Sequence, residues 1–322
     1  MIDRARAQKA HDTEVGPAPR VAVAVLHYGD PTYATKCLRS TVSIVPAPSH
    51  WLLIGNDPRN PGPVLGDSLG VPIETIETGG SLGFAGGANF AARAAAERGA
   101  EFLWLLNNDT EVAPGALAPL LEAASPPDVA MVGPRIIAMA DGHIWHDGGT
   151  IAWPEGRPVS LGVDQIPNEA GPPTPVDFVC GCAPLIRLSA FFELGGFDER
   201  FFAYYEDADL SLRMIAAGHR LLHVPRAEVR HLGSASTGTR SLVTRYYALR
   251  NRRLFRDLHA PNANVAKRHS ARESRTMRAR ALRYRLSGRS DEAGAIRSAL
   301  ADHAAGRFGP KAPSARTSDP KR

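Results

Sequence analysis

Amide and carboxylate side chains directly follow one of the most apolar segments of the chain. Residues 102–106 are apolar or aromatic without a break, and Asn107, Asn108 and Asp109 come next. Such a run is typical of a strand buried in a parallel sheet, and polar groups at its carboxyl end face the crevice where open α/β sheets bind ligands. Asp109 would be a hard oxygen ligand there for the divalent cation of a nucleotide. The alternative is an ordinary polar turn before a helix that starts at Pro114.

A second group of carboxylates begins at Glu206 and Asp207, after the aromatic segment 197–205. These acids start a predicted helix, whose dipole would keep Asp207 ionised. An ionised carboxylate beside an aromatic wall could hold a sugar and take the proton from its hydroxyl group. Simple helix capping is the alternative and explains one acid better than a cluster. Asp209 and Arg213 are four residues apart, which predicts a structural ion pair.

Two further features are candidates for ligand binding. The glycine-rich segment 79–89 lacks the Gly-Lys-Ser/Thr of a P-loop, and it follows the third predicted strand rather than the first, as a dinucleotide fingerprint would. Its glycines would still let the backbone approach a bulky or phosphorylated ligand, and a flexible surface loop is the alternative. A lone histidine such as His231 is usually a structural residue. Together with Asp109, it becomes a candidate second ligand for a divalent ion.

The elements that must position these groups follow from the pattern of apolar and helical segments. Strands are predicted at 21–26, 51–54, 71–76, 102–106, 129–132, 176–186 and 220–224. Helices are predicted at 31–45, 90–99, from 114, 189–194, 208–217, 240–258 and within 263–305. The alternation of strand and helix predicts an α/β fold with a mostly parallel, doubly wound central sheet flanked by helices.

Composition and charge limit the class of protein. The chain has no run of 18 or more apolar residues that would predict a membrane span, and residues 1–20 lack the apolar centre of a signal peptide. Three cysteines without a framework spacing predict a reducing compartment. Residues 1–244 carry 18 Lys and Arg against 27 Asp and Glu, a net charge of −9, whereas residues 245–322 carry 20 against 6, a net charge of +14. The basic quarter favours an anionic lipid surface or another polyanion, with a solvated extension or an oligomer contact as alternatives.

A series of short motifs, taken in order, resembles the family 2 glycosyltransferases of the GT-A fold, in their rhamnosyltransferase- and galactofuranosyltransferase-like branch. The motifs are His27-Tyr28-Gly29, Gly55-Asn56-Asp57, residues 82–89, residues 105–110, residues 195–199 with Phe201-Phe202, residues 206–210 with Arg213, residues 224–231, and Tyr246-Tyr247 with Arg250-Asn251. The resemblance covers about residues 20–255. The order of the motifs is specific for the family and not for its substrate.

The resemblance also implies a role for each motif. Asp109 and His231 would hold Mg²⁺ or Mn²⁺ at the donor diphosphate, and Asp207, beside Glu206, would be the general base. The residues implied in nucleotide-sugar binding are His27, Tyr28, Asn56, Asp57, Gly83, Phe84, Gly87, Asn89, Asn107 and Asn108. Those implied in acceptor binding are Asp198, Glu199, Phe202 and Tyr205. Neither of the two carboxylates that the family usually has after the second strand stands at its position in residues 55–60, although Asp57 could substitute for the first. The nucleotide, UDP or dTDP, therefore stays open.

The predicted organisation has four parts. They are a disordered lead-in (1–19), a GT-A domain (20–240) with a nucleotide-binding half (20–135) and an acceptor-binding half (136–240), a basic helical extension (241–305) and a disordered tail (306–322). The resemblance implies an inverting, metal-dependent transferase that moves a sugar from dTDP-rhamnose or a UDP-sugar to a glycan or lipid-linked acceptor in cell-envelope polysaccharide synthesis. We expect it in the cytoplasm or on the inner face of the membrane, with no nucleic-acid partner. A sugar-phosphate nucleotidyltransferase and a degenerate binding module are the alternatives.

Overall fold

The computed structural model describes residues 19–64, 69–233 and 241–311. Within these ranges the strands are β1 (Val21–His27), β2 (His50–Gly55), β3 (Ile73–Glu77), β4 (Phe102–Asn107), β5 (Thr110–Val112), β6 (Val129–Ala138), β7 (Ile144–His146), β8 (Gly149–Ala152), β9 (Arg157–Ser160), β10 (Thr174–Pro175), β11 (Leu185–Arg187) and β12 (Arg220–His231). The helices are α1 (Pro31–Thr41), α2 (Gly83–Glu97), α3 (Leu117–Ala123), α4 (Leu188–Glu193), α5 (Glu206–Ala216), α6 (Leu242–His259), α7 (Ala263–Leu286) and α8 (Ser290–Ala304). Residues 1–18 of the predicted lead-in and 312–322 of the predicted tail lie outside these ranges.

A mixed sheet forms the centre of the described fold. Its strand order is β10-β12-β6-β11-β4-β1-β2-β3, with β5 paired to β12 and β7 paired to β6. Strands β3, β2, β1 and β4 are parallel neighbours, and β12 is parallel to β6, whereas β11 runs antiparallel between β4 and β6. Apolar residues on the two faces pack against α1 and α3 on one side and α2, α4 and α5 on the other. The predicted α/β fold with a central sheet flanked by helices is therefore confirmed.

The glycine-rich segment is helical from Gly83 onwards rather than a loop throughout. Helix α2 already begins at Gly83, whereas the sequence predicts its start at 90. Asn56 fixes this start, because its Nδ2 donates to the carbonyl oxygen of Gly83 at 2.8 Å and its Oδ1 accepts from the N–H of Leu82 at 2.8 Å. A Cβ atom at Gly87 would lie 2.7 Å from Cδ1 of Leu26. Close packing therefore requires glycine and overrides its low helix propensity.

Several predicted strands have different bounds in the structure; the strand predicted at 129–132, for example, extends to Ala138. Within 176–186 only Leu185 and Ile186 belong to a strand, β11, which continues to Arg187. The segment before β11 places its N–H groups elsewhere: Val179 donates to Oγ of Ser211 at 3.2 Å, and Gly181 donates to a carboxylate of α5 at 2.9 Å. In contrast, the strand predicted at 220–224 extends to residue 231, so His231 ends strand β12. Pairing with both β6 and β5 supports that extension.

The C-terminal helices form a separate layer. Helices α6, α7 and α8 share an apolar cluster that includes Tyr246, Tyr247 and Ile296, and Phe202 packs against it. Residues 306–311 continue along α6, where Gly309 accepts a hydrogen bond from Nη1 of Arg250 at 2.7 Å. Among the described residues, no helix is both long enough and apolar enough to cross a bilayer. The division of residues 20–240 into two halves stays a prediction.

Candidate active site

A cavity of about 370 Å³ opens at the carboxyl ends of β1 and β4. Its walls include residues from the ends of β1, β2 and β4, the beginning of α2, and the segment 180–182. The segment 202–207 and the beginning of α6 close the other side. Because β1, β2 and β4 are parallel, their polar C-terminal residues meet at one edge of the sheet.

Asp109 and His231 form a buried pair in the cavity wall. Nε2 of His231 lies 3.1 Å from Oδ1 of Asp109, and both side chains are buried. The pairing of β5 with β12 places them together, because His231 is the register partner of Thr110. The ring of Trp145 packs edge-on against His231, with centroids 4.8 Å apart. A carboxylate oxygen and an imidazole nitrogen at this spacing can share a divalent cation.

Glu206 and Asp207 line the same cavity, in the first turn of α5. Burial raises the pKa of Glu206 well above its ordinary value, and the neighbouring Asp207 adds to this shift. Burial also raises the pKa of Asp207, although its carboxylate accepts from the N–H groups of Gly181 at 2.9 Å and Ala208 at 2.8 Å. The helix dipole alone would keep Asp207 ionised, as expected from the sequence, but burial acts on its pKa in the opposite direction. A carboxylate with a raised pKa is a stronger base once it is ionised.

The predicted nucleotide-binding residues separate into cavity-lining and supporting groups. Those that line the cavity are Tyr28, Asn56, Gly83, Phe84, Asn107 and Asn108. His27 is fully buried behind them, where Nε2 lies 2.8 Å from the carbonyl oxygen of Asn60 and Nδ1 lies 3.4 Å from Nδ2 of Asn108. Gly87 supports the packing of α2 against β1. The structure therefore does not bring His27 or Gly87 to the cavity surface.

Asp57 organises the turn after β2. Burial opposes its ionisation, but hydrogen bonds from Nδ2 of Asn60, at 2.9 Å, and from Arg59 keep the pKa of Asp57 below its ordinary value. Arg59 in turn donates to the hydroxyl oxygen of Tyr28 at 3.0 Å. Tyr28 lines the cavity, so Asp57 reaches the site through Arg59 rather than directly.

Two other predicted residues, Asn89 and Glu199, connect α2 to the segment after α4, and a third, Asp198, lies in that segment. Nδ2 of Asn89 donates to the carbonyl oxygen of Phe197 at 2.9 Å and to Oε1 of Glu199 at 3.0 Å. Asp198 forms an ion pair with Arg200 at 2.6 Å. None of Asn89, Asp198 and Glu199 lines the cavity. Of the predicted acceptor-binding residues, Phe202 and Tyr205 do line it.

The segment that carries Phe202 and Tyr205 has an unusual backbone. Phe202, Tyr204 and Tyr205 have φ angles of 64°, 70° and 80°, values that residues other than glycine rarely adopt. Such conformations cost on the order of 1 kcal/mol or more each and persist only where the surroundings hold them. We call residues 201–205 the aromatic loop.

Helix α6 holds the aromatic loop in place. Nδ2 of Asn251 lies 2.7 Å from the carbonyl oxygens of Phe201 and Ala203 and 2.8 Å from that of Tyr204. Arg250 donates from Nη2 to the carbonyl oxygen of Phe201 at 3.2 Å and from Nε to Oδ1 of Asn251 at 3.0 Å. Both α6 side chains are fully buried. The basic helix therefore forms part of the support for Glu206 and Asp207, which follow the loop directly.

Several cavity-lining residues were not predicted as site residues. They include Trp145, Cys180, Tyr204, Val243 and Tyr247. Trp145 lies between Gly- and Pro-rich segments and belongs to no motif. Tyr247 belongs to a motif that carries the family resemblance, but the resemblance implies no role for it. Burial raises the pKa of the Cys180 thiol, and all three cysteines are free, which agrees with a structural role for the Cys180-Gly-Cys182 segment.

The chain belongs to the family described as glycosyl transferase family group 2, because the family model matches residues 102–287, more than half of the chain. The matched region begins at β4 and includes Asp109, Asp207, His231 and both α6 and α7. The family that the sequence motifs predict is thereby confirmed, and the chain is a member of a group of glycosyl-transfer enzymes.

A curated relative agrees with this assignment, and solved structures share the fold. The N-acetylglucosaminyl-diphospho-decaprenol L-rhamnosyltransferase of Mycobacterium tuberculosis is 33% identical over 189 residues, which cover 52% of this chain and 61% of that protein. This chain thus spans less than two thirds of the relative's length. The crystal structure of GalNAc-T7 with UDP, GalNAc and Mn²⁺ superposes with a TM-score of 0.57 at 17% identity, over 72% of this chain and 47% of that one.

A second solved structure covers more of both chains. The mannosyltransferase PcManGT from Pyrobaculum calidifontis, in complex with GDP-Man and Mn²⁺, superposes with a TM-score of 0.51 at 13% identity, over 89% of this chain and 87% of that one. At such identities the likeness concerns the fold. The predicted GT-A fold is confirmed.

Proposed function

We propose that this protein is an inverting, metal-dependent glycosyltransferase that moves a sugar from a nucleotide-diphosphate donor to a hydroxyl group of a glycan or glycolipid. The observation that carries the proposal is that Asp109 with His231 and Glu206 with Asp207 line one cavity. The first pair offers cation ligands, and the second offers a base. A binding module has no need for both.

Asp109 and His231 fit a divalent ion at the donor diphosphate. Among the described residues, no cluster of three or more His, Cys, Asp or Glu side chains could hold a metal ion. The two residues would therefore share the ion with substrate phosphate oxygens and water, as is usual for Mg²⁺ in phosphate sites. A bound cation would neutralise charge on the leaving diphosphate. Two structural neighbours contain Mn²⁺, which supports Mn²⁺ or Mg²⁺ as the cofactor.

Asp207 is the proposed general base. Its carboxylate takes the proton from the acceptor hydroxyl group while that oxygen attacks the anomeric carbon, and the bond to the diphosphate breaks on the opposite face of the sugar. The N–H groups of Gly181 and Ala208 hold the carboxylate in one orientation. Glu206, buried at its side with a raised pKa, would stay protonated and so keep the negative charge on Asp207.

The name of one relative supports a proposal for the donor and the acceptor. The Mycobacterium tuberculosis relative is named as a rhamnosyltransferase for a decaprenyl-diphosphate-linked N-acetylglucosamine. We propose dTDP-rhamnose or a UDP-sugar as the donor and a lipid-linked glycan of cell-envelope polysaccharide synthesis as the acceptor. The aromatic side chains of Phe202, Tyr205 and Tyr247 would stack against the sugar that carries the accepting hydroxyl group.

A thermal-shift panel tests the donor side. UDP, dTDP, GDP and their sugar conjugates are each added with and without Mn²⁺ or Mg²⁺. A ligand that binds only the folded state raises the melting temperature by mass action. We expect a metal-dependent shift for one nucleotide, lost in Asp109→Ala. No shift with any nucleotide, in a protein that melts normally, would favour a degenerate module.

A further inference from the structure

Helix α7 carries its positive charge towards solvent. It contains eight Lys and Arg residues and a single acid, Glu273, which faces α6. The exposed basic side chains include Arg268, Arg272, Arg275, Arg278, Arg283 and Arg285. None of these six forms an ion pair with a carboxylate of the described residues. Their charge is therefore available to an external anion.

Exposed leucines continue the same face of the helix. Positions 268, 272, 275, 279, 282 and 286 are separated alternately by four and three residues, so their side chains form one stripe. All six are exposed. The stripe begins with three arginines and ends with Leu282 and Leu286, which are 56% and 79% exposed. These leucines bury little apolar surface within this chain. We call the stripe, with Arg278, Arg283 and Arg285 beside it, the α7 face.

The C-terminal end of α7 packs against α6, the helix that closes one side of the candidate active site. Nη1 of Arg245 lies 3.4 Å from the hydroxyl oxygen of Tyr284, and its guanidinium group stacks over the Tyr284 ring at 5.4 Å. Tyr284 also packs against the apolar cluster of the C-terminal helices, whose member Tyr247 lines the cavity together with Val243. Val243 is itself half exposed. The C-terminal end of α7 and the cavity wall therefore share one apolar cluster.

We propose that the α7 face docks the enzyme on an anionic lipid bilayer, with the mouth of the cavity beside the membrane surface. Arginines would bind lipid phosphates while Leu282 and Leu286 enter the boundary between headgroups and acyl chains. Binding of a nucleic acid would need only the arginines of the face. The exposed leucines in the same stripe favour a lipid bilayer, because they can enter its apolar region. The inference rests on the proposed function in one respect: a lipid-linked acceptor gives the orientation its purpose.

Vesicle sedimentation tests the arginines of the face. The full chain is mixed with phosphatidylcholine vesicles or with vesicles in which about a third of the lipid is phosphatidylglycerol. We expect binding to the anionic vesicles, weakened about fivefold for each arginine removed and about a hundredfold in Arg268→Gln/Arg272→Gln/Arg275→Gln. A variant with the same charge change elsewhere, Arg39→Gln/Arg93→Gln/Arg297→Gln, should bind nearly as the parent does. Equal loss in both variants would show that net charge, rather than this face, is responsible and would overturn the proposal.

The leucines separate lipid from other partners. Leu282→Gln/Leu286→Gln should weaken vesicle binding at least about tenfold, because two apolar side chains no longer enter the bilayer. Unchanged vesicle binding in this variant would overturn the proposal. So would a parent that ignores vesicles but binds an oligonucleotide through the three arginines, or one that forms a dimer, measured by light scattering, that the leucine variant loses.

The docking proposal and the proposed function can fail separately. Each variant is also tested for the metal-dependent nucleotide shift, which the α7 face should not influence. If the parent protein binds anionic vesicles but no nucleotide, the docking proposal stands and the proposed transferase function is wrong. If the parent protein binds nucleotide with Mn²⁺ but no vesicle, the proposed transferase function stands and the docking proposal is wrong.

Discussion

Helices α6 and α7 are both rich in arginine, but they place that charge in opposite environments. In α6, Arg250 and Arg256 are at most 1% exposed, and their donors are bound by backbone carbonyls and by a carboxylate. In α7, the arginines of the outer face are exposed. The difference shows that the number of charges in a segment does not decide its role. What decides it is whether acceptors of the same chain lie within reach.

Glu273 is where the two helices meet. It is the single acid of α7, and it accepts hydrogen bonds or ion pairs from Arg252, Arg253 and Arg256 of α6. Arg256 also donates to the carbonyl oxygen of Glu155, in the loop between β8 and β9, at 3.0 Å. The buried arginines of α6 thus connect α7 and α6 to the catalytic domain.

The largest expected effect is on stability, in Glu273→Gln. Removal of the carboxylate leaves three guanidinium groups without their shared partner, and breaking such a buried arrangement costs about 3–5 kcal/mol. The control is Arg275→Gln on the α7 face, which should change the free energy of unfolding by no more than about 0.5 kcal/mol. Urea denaturation measures both. Similar losses of unfolding free energy in the two variants would contradict the distinction between a buried, paired charge cluster at Glu273 and the exposed arginines of the α7 face.

The next effect concerns catalysis. Asn251→Ala leaves the carbonyl oxygens of the aromatic loop without their shared donor, so the strained backbone can relax and move Asp207. We expect a fall of about tenfold to a hundredfold in kcat for sugar transfer, corresponding to roughly 1–3 kcal/mol from unsatisfied buried groups. The metal-dependent nucleotide affinity should stay near that of the parent protein. Asn264→Ala on α7 is the matched control, since Asn264 is exposed.

In that experiment the pattern of loss is informative. A kcat reduced together with a nucleotide affinity reduced to the same degree would mean that Asn251 supports the whole fold and not the acceptor side. Unchanged kcat would mean that the aromatic loop keeps its conformation without α6.

The smallest expected effect is the dependence of stability on pH. Burial opposes ionisation of Glu273, but Arg252, Arg256 and Arg253 outweigh it and lower its pKa below the ordinary 4.5. A carboxylate with a lowered folded-state pKa stabilises the fold above its ordinary pKa and loses that contribution as the pH falls towards the folded-state value. The free energy of unfolding should therefore decline below about pH 4.5, and Glu273→Gln should flatten the decline. An identical pH profile in both proteins would contradict this.

The part of the site that could be predicted from sequence lies where polar residues end parallel strands. Asn107, Asn108 and Asp109 follow a fully apolar strand, and the geometry of a parallel sheet places such residues at one edge. The pairing of Asp109 with His231 came from a family resemblance, since their contact depends on β5 and β12 lying side by side. Local sequence contains no signal for that pairing.

Other features depend on partners distant in the chain. Glycine disfavours helix, so the sequence predicts that α2 starts at 90, yet Asn56 binds the backbone at Leu82 and Gly83 and the helix already starts at Gly83. The apolar segment before β11 reads as a strand, but Ser211 and Asp207 take its N–H groups. The basic C-terminal quarter likewise reads as one surface, because composition cannot show which arginines find acceptors of the same chain.

Sugar transfer by Asp207→Asn tests the central proposal most directly. The parent protein and the variant are supplied with the donor found in the nucleotide panel, Mn²⁺ and a lipid-linked glycan acceptor, and the radiolabelled product is counted. Asparagine keeps the size of the side chain but cannot accept the hydroxyl proton, so transfer should fall about 10²- to 10⁴-fold while nucleotide affinity stays near that of the parent. Transfer at the parental rate by Asp207→Asn would contradict the assignment of the base and with it the proposed chemistry of this cavity.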